Sequence, residues 1–468
     1  MPFSGSLPPS HFESPEAPRS KFLRHVAATL KLALPVMLAR SGTLIMISTD
    51  VIMTGRAGAI ELAYYGLGFG LSQNLFVIGL GAMNGTTVLT SQAMGLGRPE
   101  HCGTIWRVAL AHALVMGLVF VALSLLGEGF LVLTGQEAAL AAGGGYTMWM
   151  FSLGLPPVLM YLTTAMFLEA ISRTLPNLVL MVGANLLNVG LNWIFIYGGA
   201  FPAAGGIFGM GAAGAALATS LTRWAMFLGL VGYVYWMADQ SHLGIRGPLR
   251  FAMDFGRKLR KLGLPLGLAH GLETSAFTSI VLMAGVLGAI PLAAYQIASN
   301  LFIVVYMSAI GLATATSVRV GIAVGEGRIS EVRWCGWSGV GVGAAVLMAF
   351  GAVFQVWPGG LAALYTSDRE AWALAAGVLP VVGLFLLPDG SQGILVGALR
   401  GTGDIWIPSA MVIVGFWGVA VPVGYLLAFP QGLGILGLIW GLALGALLAS
   451  VLLILRFHWR TLRPIEPV

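Results

Sequence analysis

Three carboxylates stand in stretches that hold no other charge: Asp50 in STDVIMTG, Glu273 in GLETSAF and Asp389 in PDGSQGILV. An ionised carboxylate in hydrocarbon is costly, so such a group faces a cavity or a partner and marks an ion or substrate path. Burial disfavours the charged form, which suits a group that takes up and releases a proton, or holds Na+, as its cavity opens to either side. Asn185, Asn188 and Asn192 recur at helical spacing in NLLNVGLNWIFIYG, with Asn188 and Asn192 on one face. Asn carbonyls are oxygen ligands for a hard cation and Asn amides bond a carboxylate, although the same spacing also serves helix-to-helix hydrogen bonding. Gln73 with Asn74, and Gln296 with Asn300, pose the same choice and read as packing residues.

The elements that position these groups are membrane spans. Hydrophobic residues make up 57% of the chain and charged ones 9%, and the mean hydropathy is +0.89, far outside the soluble range. A span needs about 20 apolar residues. Stretches of that kind lie near 29–54, 62–90, 107–127, 146–166, 178–198, 211–237, 260–286, 292–322, 334–357, 372–398, 406–429 and 434–456, which predicts an all-α polytopic membrane protein of 12 transmembrane helices. The basic residues follow the spans, so they do not point to nucleic acid. Lys21, Arg24, Lys31, Arg98, Arg107 and Arg173 fall on one side, as do the central cluster Arg246–Lys261, then Arg328, Arg333, Arg400, Arg456, Arg460 and Arg463; the other side carries Arg56 and Arg369. The positive-inside rule then places both termini in the cytoplasm.

The chain is also duplicated. Leu32–Arg98 reappears without gaps as Leu262–Arg328, pairing Pro35 with Pro265, Gly81 with Gly311 and Arg98 with Arg328. Six spans per half return the chain to its starting side, so the repeats run parallel about an axis along the membrane normal. The charges do not repeat: Asp50 matches Ile280 and Glu273 matches Thr43. Glu273 lies about 18 Å along its helix from Lys261, near mid-membrane, and Asp50 lies nearer the outer end of its span. Asp389 follows Pro388, which removes a backbone donor and bends a helix.

The expected organisation is a disordered tail over 1–25, a six-helix lobe over 26–237, a linker over 238–259, a second six-helix lobe over 260–457 and a tail over 458–468. Cys102 and Cys335 fall at cytoplasmic ends, which predicts reduced thiols. Glycine pairs such as Gly66 and Gly70 suit close helix packing. No GxxxxGK[ST], HExxH or GxSxG occurs, so neither ATP hydrolysis nor an intramembrane enzyme is indicated. Within the spans the basic pair is Arg40 and Arg223, outnumbered by the carboxylates, which favours cationic cargo over an anionic one. The alternative is a flippase for a lipid-linked or anionic substrate.

The settings of the three carboxylates, together with QAMGLGR, NVGLNWIFIYG, LAAYQIASN and RVGIAVGEGR in this order, resemble the multidrug and toxic compound extrusion (MATE) transporters of the NorM type. The resemblance covers nearly the whole chain after the tail. It implies twelve helices in two lobes around a central cavity, and secondary active export of organic cations against H+ or Na+, with no cofactor. Carried over residue by residue, it assigns ion coupling or substrate binding to Asp50, Asn188, Asn192, Glu273 and Asp389, with Na+ at Glu273 and Asp389 as one option. Phe277, Phe385, Trp149 and Trp193 are candidate aromatic faces for a cation. Four positions depart from the family pattern: Phe385 where a tyrosine is expected, Tyr295 in place of histidine, Arg40 in place of a neutral residue and Glu169 in place of glutamine. Membrane lipids are the other expected partner, and an internal pseudo-dimer suffices as a monomer.

Overall fold

In a bilayer only a helix satisfies its backbone within a single segment, and the apolar runs obey that rule. The computed structural model describes residues 18–198, 209–237, 240–249, 252–366 and 368–468, and no strand occurs among them. The first half comprises α1 (Pro18–Ala57), α2 (Ala59–Met83), α3 (Gly85–Gly95), α4 (Glu100–Ser124), α5 (Gly127–Leu133), α6 (Ala138–Ser152), α7 (Leu155–Ala170), α8 (Leu175–Tyr197) and α9 (Gly211–Trp236). The second comprises α10 (Ala252–Val286), α11 (Ala289–Gly325), α12 (Ile329–Val356), α13 (Pro358–Ala363), α14 (Arg369–Gly401), α15 (Trp406–Ile413), α16 (Val421–Ala428) and α17 (Gly434–Arg460), with a π-helical stretch, Val414–Ala420, joining α15 to α16.

Among the described residues, eleven helical segments are long and apolar enough to cross a membrane, α2 with α3 and α15 with α16 each counting as one, and α6 with α7, bent by 41° at their junction, supplies a twelfth. That broken span corrects the single run expected over 146–166. Its cause is written in LGLPP: Pro156 and Pro157 start α7 and cannot continue the hydrogen-bond ladder of α6. The outer surfaces are apolar, as at Leu186 and Val179, 73% and 70% exposed.

The expected segment boundaries shift because the segments between lobes are anchored. Of the tail expected over 1–25, residues 1–17 lie outside the described residues, and α1 already starts at Pro18. His25 is buried there, accepting from Arg319 through its backbone oxygen at 2.8 Å and lying 3.2 Å from Glu331. In the linker, Leu243 and Ile245 are buried and the Leu243 oxygen accepts from the Gly103 amide at 2.8 Å; α10 begins eight residues before the expected start of the second lobe, at Ala252. The last segment is also packed, with Ile465 buried and the Val468 amide donating to Gln92 Oε1 at 2.8 Å.

The lobes meet through α1 with α11, α2 with α10 and α3 with α11. The contacts obey the internal repeat. A Cβ added at Gly81 would lie 2.8 Å from the Gly267 Cα, and one added at Gly311 would strike Met37, the repeat mate of Gly267. Gly95 and Gly325, themselves repeat mates, face one another, each blocking a Cβ on the other at 2.9 and 2.8 Å. Backbones therefore touch near the ends that carry Arg98 and Arg328. Gly66 and Gly70, expected to pack closely, instead have nothing within 4 Å, and neither does Gly285 on the facing part of α10. Tight packing at one end and none at the other leaves a cavity of about 640 Å³ between the lobes.

Candidate functional site

Asp50, Glu273 and Asp389 all line this cavity. Asp50, on α1, is 1% exposed and held by three donors. Asn192 Nδ2 donates to its Oδ1 at 2.7 Å, while Thr219 Oγ1 at 2.5 Å and the Tyr65 hydroxyl at 3.5 Å donate to Oδ2. Asn188 stands behind them, accepting from Asn192 at 3.1 Å and donating to Thr219 Oγ1 at 3.2 Å. The two asparagines thus serve two of the three uses expected of them, binding a carboxylate and tying α8 to α9. Asn185 is not part of this group; its amide donates to its own helix at Met181.

The C-terminal lobe is arranged differently. Glu273 Oε1 accepts from Gln392 Nε2 at 3.3 Å, and Glu273 Oε2 lies 3.7 Å from His270 Nδ1. Asp389 is 2% exposed, and its Oδ1 is buried with no hydrogen-bond partner. Gln392 Oε1, one turn on, is likewise buried and unpartnered. Two acceptors without donors beside a second carboxylate form a niche for a cation or a proton. The oxygens of Glu273, Asp389 and Gln392 are those that could hold Na+. Among the described residues no group of three His, Cys, Asp or Glu side chains could hold a metal ion. Phe385 stacks on Phe302 at 4.9 Å, which in turn stacks on Tyr306 at 5.4 Å, so the niche has an aromatic wall. Phe277 lines the cavity too. Trp193 does not: it is 60% exposed, packed edge-on to Tyr197. Trp149 belongs to the N-lobe cluster around Tyr65 and Phe151.

A further charged group, Arg40, Glu169 and Arg400, was legible in the sequence only in part. Arg40 is 3.9 Å from Glu169, whose carboxylate oxygens are buried without hydrogen bonds. Arg400, placed by charge counting among the loop arginines, is instead buried, lines the cavity and donates to Asn84 Oδ1 at 2.6 Å and to Ser317 Oγ at 3.2 Å. The signal was present: Arg400 continues the apolar helix of Asp389 for about three turns with no intervening break. Thr219, Tyr65 and Gln392 were also missed; of these only Gln392, at i+3 from Asp389, had a local cue.

Two parallel six-helix lobes, closed on each other at one end and enclosing a carboxylate-lined cavity, define a membrane transporter of the two-lobed kind. Comparison with known proteins makes this specific. The MatE family model matches twice, over residues 35–194 and 265–426, starting at the same offset as the internal repeat. The chain is 31% identical over 450 residues, 95% of its length and 94% of the relative's, to the probable multidrug resistance protein NorM of Caulobacter vibrioides. Identity to the corresponding Pseudomonas aeruginosa protein is 33% over 463 residues, covering 95% and 91% of the two chains. Among solved structures, a eukaryotic MATE transporter superposes with a TM-score of 0.84 at 21% identity, covering 93% of this chain and 96% of that one. A superfamily transporter from Pyrococcus furiosus, described as having a binding pocket of reversed polarity, superposes with a TM-score of 0.83 at 19% identity, covering 96% and 99%. The chain belongs to the MatE family and is of the NorM type.

Proposed function

We propose that the chain is a secondary active multidrug efflux antiporter that exports organic cations in exchange for H+ or Na+, acting as a monomer in a bacterial inner membrane with both termini cytoplasmic. The observation that carries this reading is the pair of buried, donorless acceptors, Asp389 Oδ1 and Gln392 Oε1, in a cavity that Glu273 and the stacked Phe302 and Phe385 also line. An ionised carboxylate in a low-dielectric niche attracts an organic cation strongly, and aromatic faces add to that attraction. Protonation, or Na+ bound on the same oxygens, cancels the charge and weakens cargo binding. Cargo and coupling ion then compete, which is the differential affinity an exchange cycle needs. The names of the relatives, as multidrug resistance proteins, agree with this reading.

A flippase for anionic or lipid-linked cargo is the second reading, favoured by one observation: Arg40, Arg223 and Arg400 all line the cavity. Two of the three are engaged, Arg40 beside Glu169 and Arg400 with Asn84 and Ser317. The carboxylate pair therefore outweighs them. The test is efflux of a fluorescent organic cation from inside-loaded proteoliposomes under an inward H+ gradient and, separately, an inward Na+ gradient. Efflux driven by either gradient and lost in Glu273→Gln and Asp389→Asn supports the antiporter and identifies its ion. No efflux from folded protein under either gradient favours the flippase.

A further inference from the structure

The N-lobe half of the cavity carries a cation of its own. Arg223, on α9, lines the cavity together with Asp50 and Phe76. Its stem passes the α6–α7 junction at Gly154, where an added Cβ would lie 2.9 Å from the Arg223 Cδ. Its guanidinium carbon sits 6.0 Å from the centre of the Phe76 ring. Nη1 is buried with no hydrogen-bond partner. The anionic group in its field is Asp50. A carboxylate and an aromatic face are the ingredients that a cargo cation would use, and here a side chain supplies the cation. In the C-lobe, Arg400 is tied to Asn84 and Ser317 and does not act on Asp389, and the basic group beside Glu273 is His270, at 3.7 Å.

We infer that Arg223 is a specificity-determining residue, a tethered cation that compensates Asp50 and so leaves the cavity with uncompensated negative charge in the C-terminal lobe alone. The inference rests on the cation-export reading above. Cargo with one positive charge finds its site at Glu273 and Asp389. Cargo with a second positive charge must place it near Arg223, where like charges repel across a poorly screened space. The cavity therefore selects singly charged organic cations over doubly charged ones of the same shape.

The probes are ethidium and propidium, which share one planar cationic ring system while propidium adds a quaternary ammonium on a side chain. Binding to the full-length protein is followed by probe fluorescence. Wild type is expected to bind ethidium tighter than propidium. Arg223→Gln should raise the propidium-to-ethidium affinity ratio by about tenfold, the effect of removing one unit charge at a separation of roughly 8 Å in a partly screened site, and Arg223→Lys should keep the wild-type ratio. Asp50→Asn, which leaves Arg223 uncompensated, should move the ratio the other way, so the assignment stays testable if Arg223→Gln does not fold. An unchanged ratio in Arg223→Gln with ethidium still bound overturns the assignment, as does wild-type protein that binds both probes equally. Folded wild type that binds neither probe overturns the cation-export reading itself, and the assignment with it.

Discussion

Asp50 and Asp389 are equally buried, yet one is saturated and the other starved. Asp50 receives hydrogen bonds from three side chains and has an arginine in its field; Asp389 keeps a buried oxygen with no partner and has a second carboxylate nearby. One duplicated fold thus carries two opposite solutions to the same problem of charge in a membrane. A carboxylate whose needs are met by its neighbours holds helices together and has little left for a ligand. A carboxylate left unsatisfied keeps its interaction energy for an ion or a cargo that comes and goes. The lobes share a scaffold and satisfy their carboxylates differently.

That contrast predicts a graded response. Asp389→Asn should lower gradient-driven efflux by about a hundredfold or more while insertion and folding are kept, since the only change is loss of an uncompensated charge; efflux within a few-fold of wild type would break the comparison. Glu273→Gln should cost roughly ten- to a hundredfold in the same assay, less than Asp389→Asn because Gln392 and His270 already engage it. Asp50→Asn should reduce efflux by about tenfold and should lower thermal stability in detergent, a combination not expected of Asp389→Asn. Thr219→Val should have the smallest effect, removing one donor to a buried carboxylate for about 1–3 kcal/mol of stability, read as a shift of the unfolding midpoint. If Thr219→Val and Gln392→Leu destabilise equally, the distinction between a structural and a functional carboxylate loses its basis.

Much of this was legible in the sequence, because what the bilayer demands is written locally. Apolar length located the spans, the ungapped repeat announced two lobes, and charge in apolar surroundings picked out Asp50, Glu273 and Asp389. Asn188 and Asn192 could be paired because four residues bring them to one helix face. Thr219 could not be joined to Asp50, since that bond spans 169 residues and depends on how α9 packs against α1. Arg400 was misread because a count of charges by side assumes that each arginine near a span end reaches water, whereas this one is tied to Asn84 and Ser317. Gly66 and Gly70 misled for the opposite reason. Their spacing suits helix packing, but whether a partner helix arrives depends on the angle between lobes, which no local pattern encodes.

The backbone contact of Gly81 with Gly267, and its repeat mate at Gly311 and Met37, has a mechanical consequence. The side chains at these contacts are His270 and Met37, and backbones this close favour rocking about the contact, as about a fulcrum, over sliding past it. From Gly81 to the far end of α2 at Ala59 is an arm of about 33 Å. A tilt of roughly 10° about that point displaces the far end by about 6 Å, comparable to the width of a planar aromatic ring system, while at the fulcrum itself the atoms scarcely move. Widening the mouth therefore asks little movement of these contacts, whereas the other half of an exchange cycle has to part them, backbone from backbone.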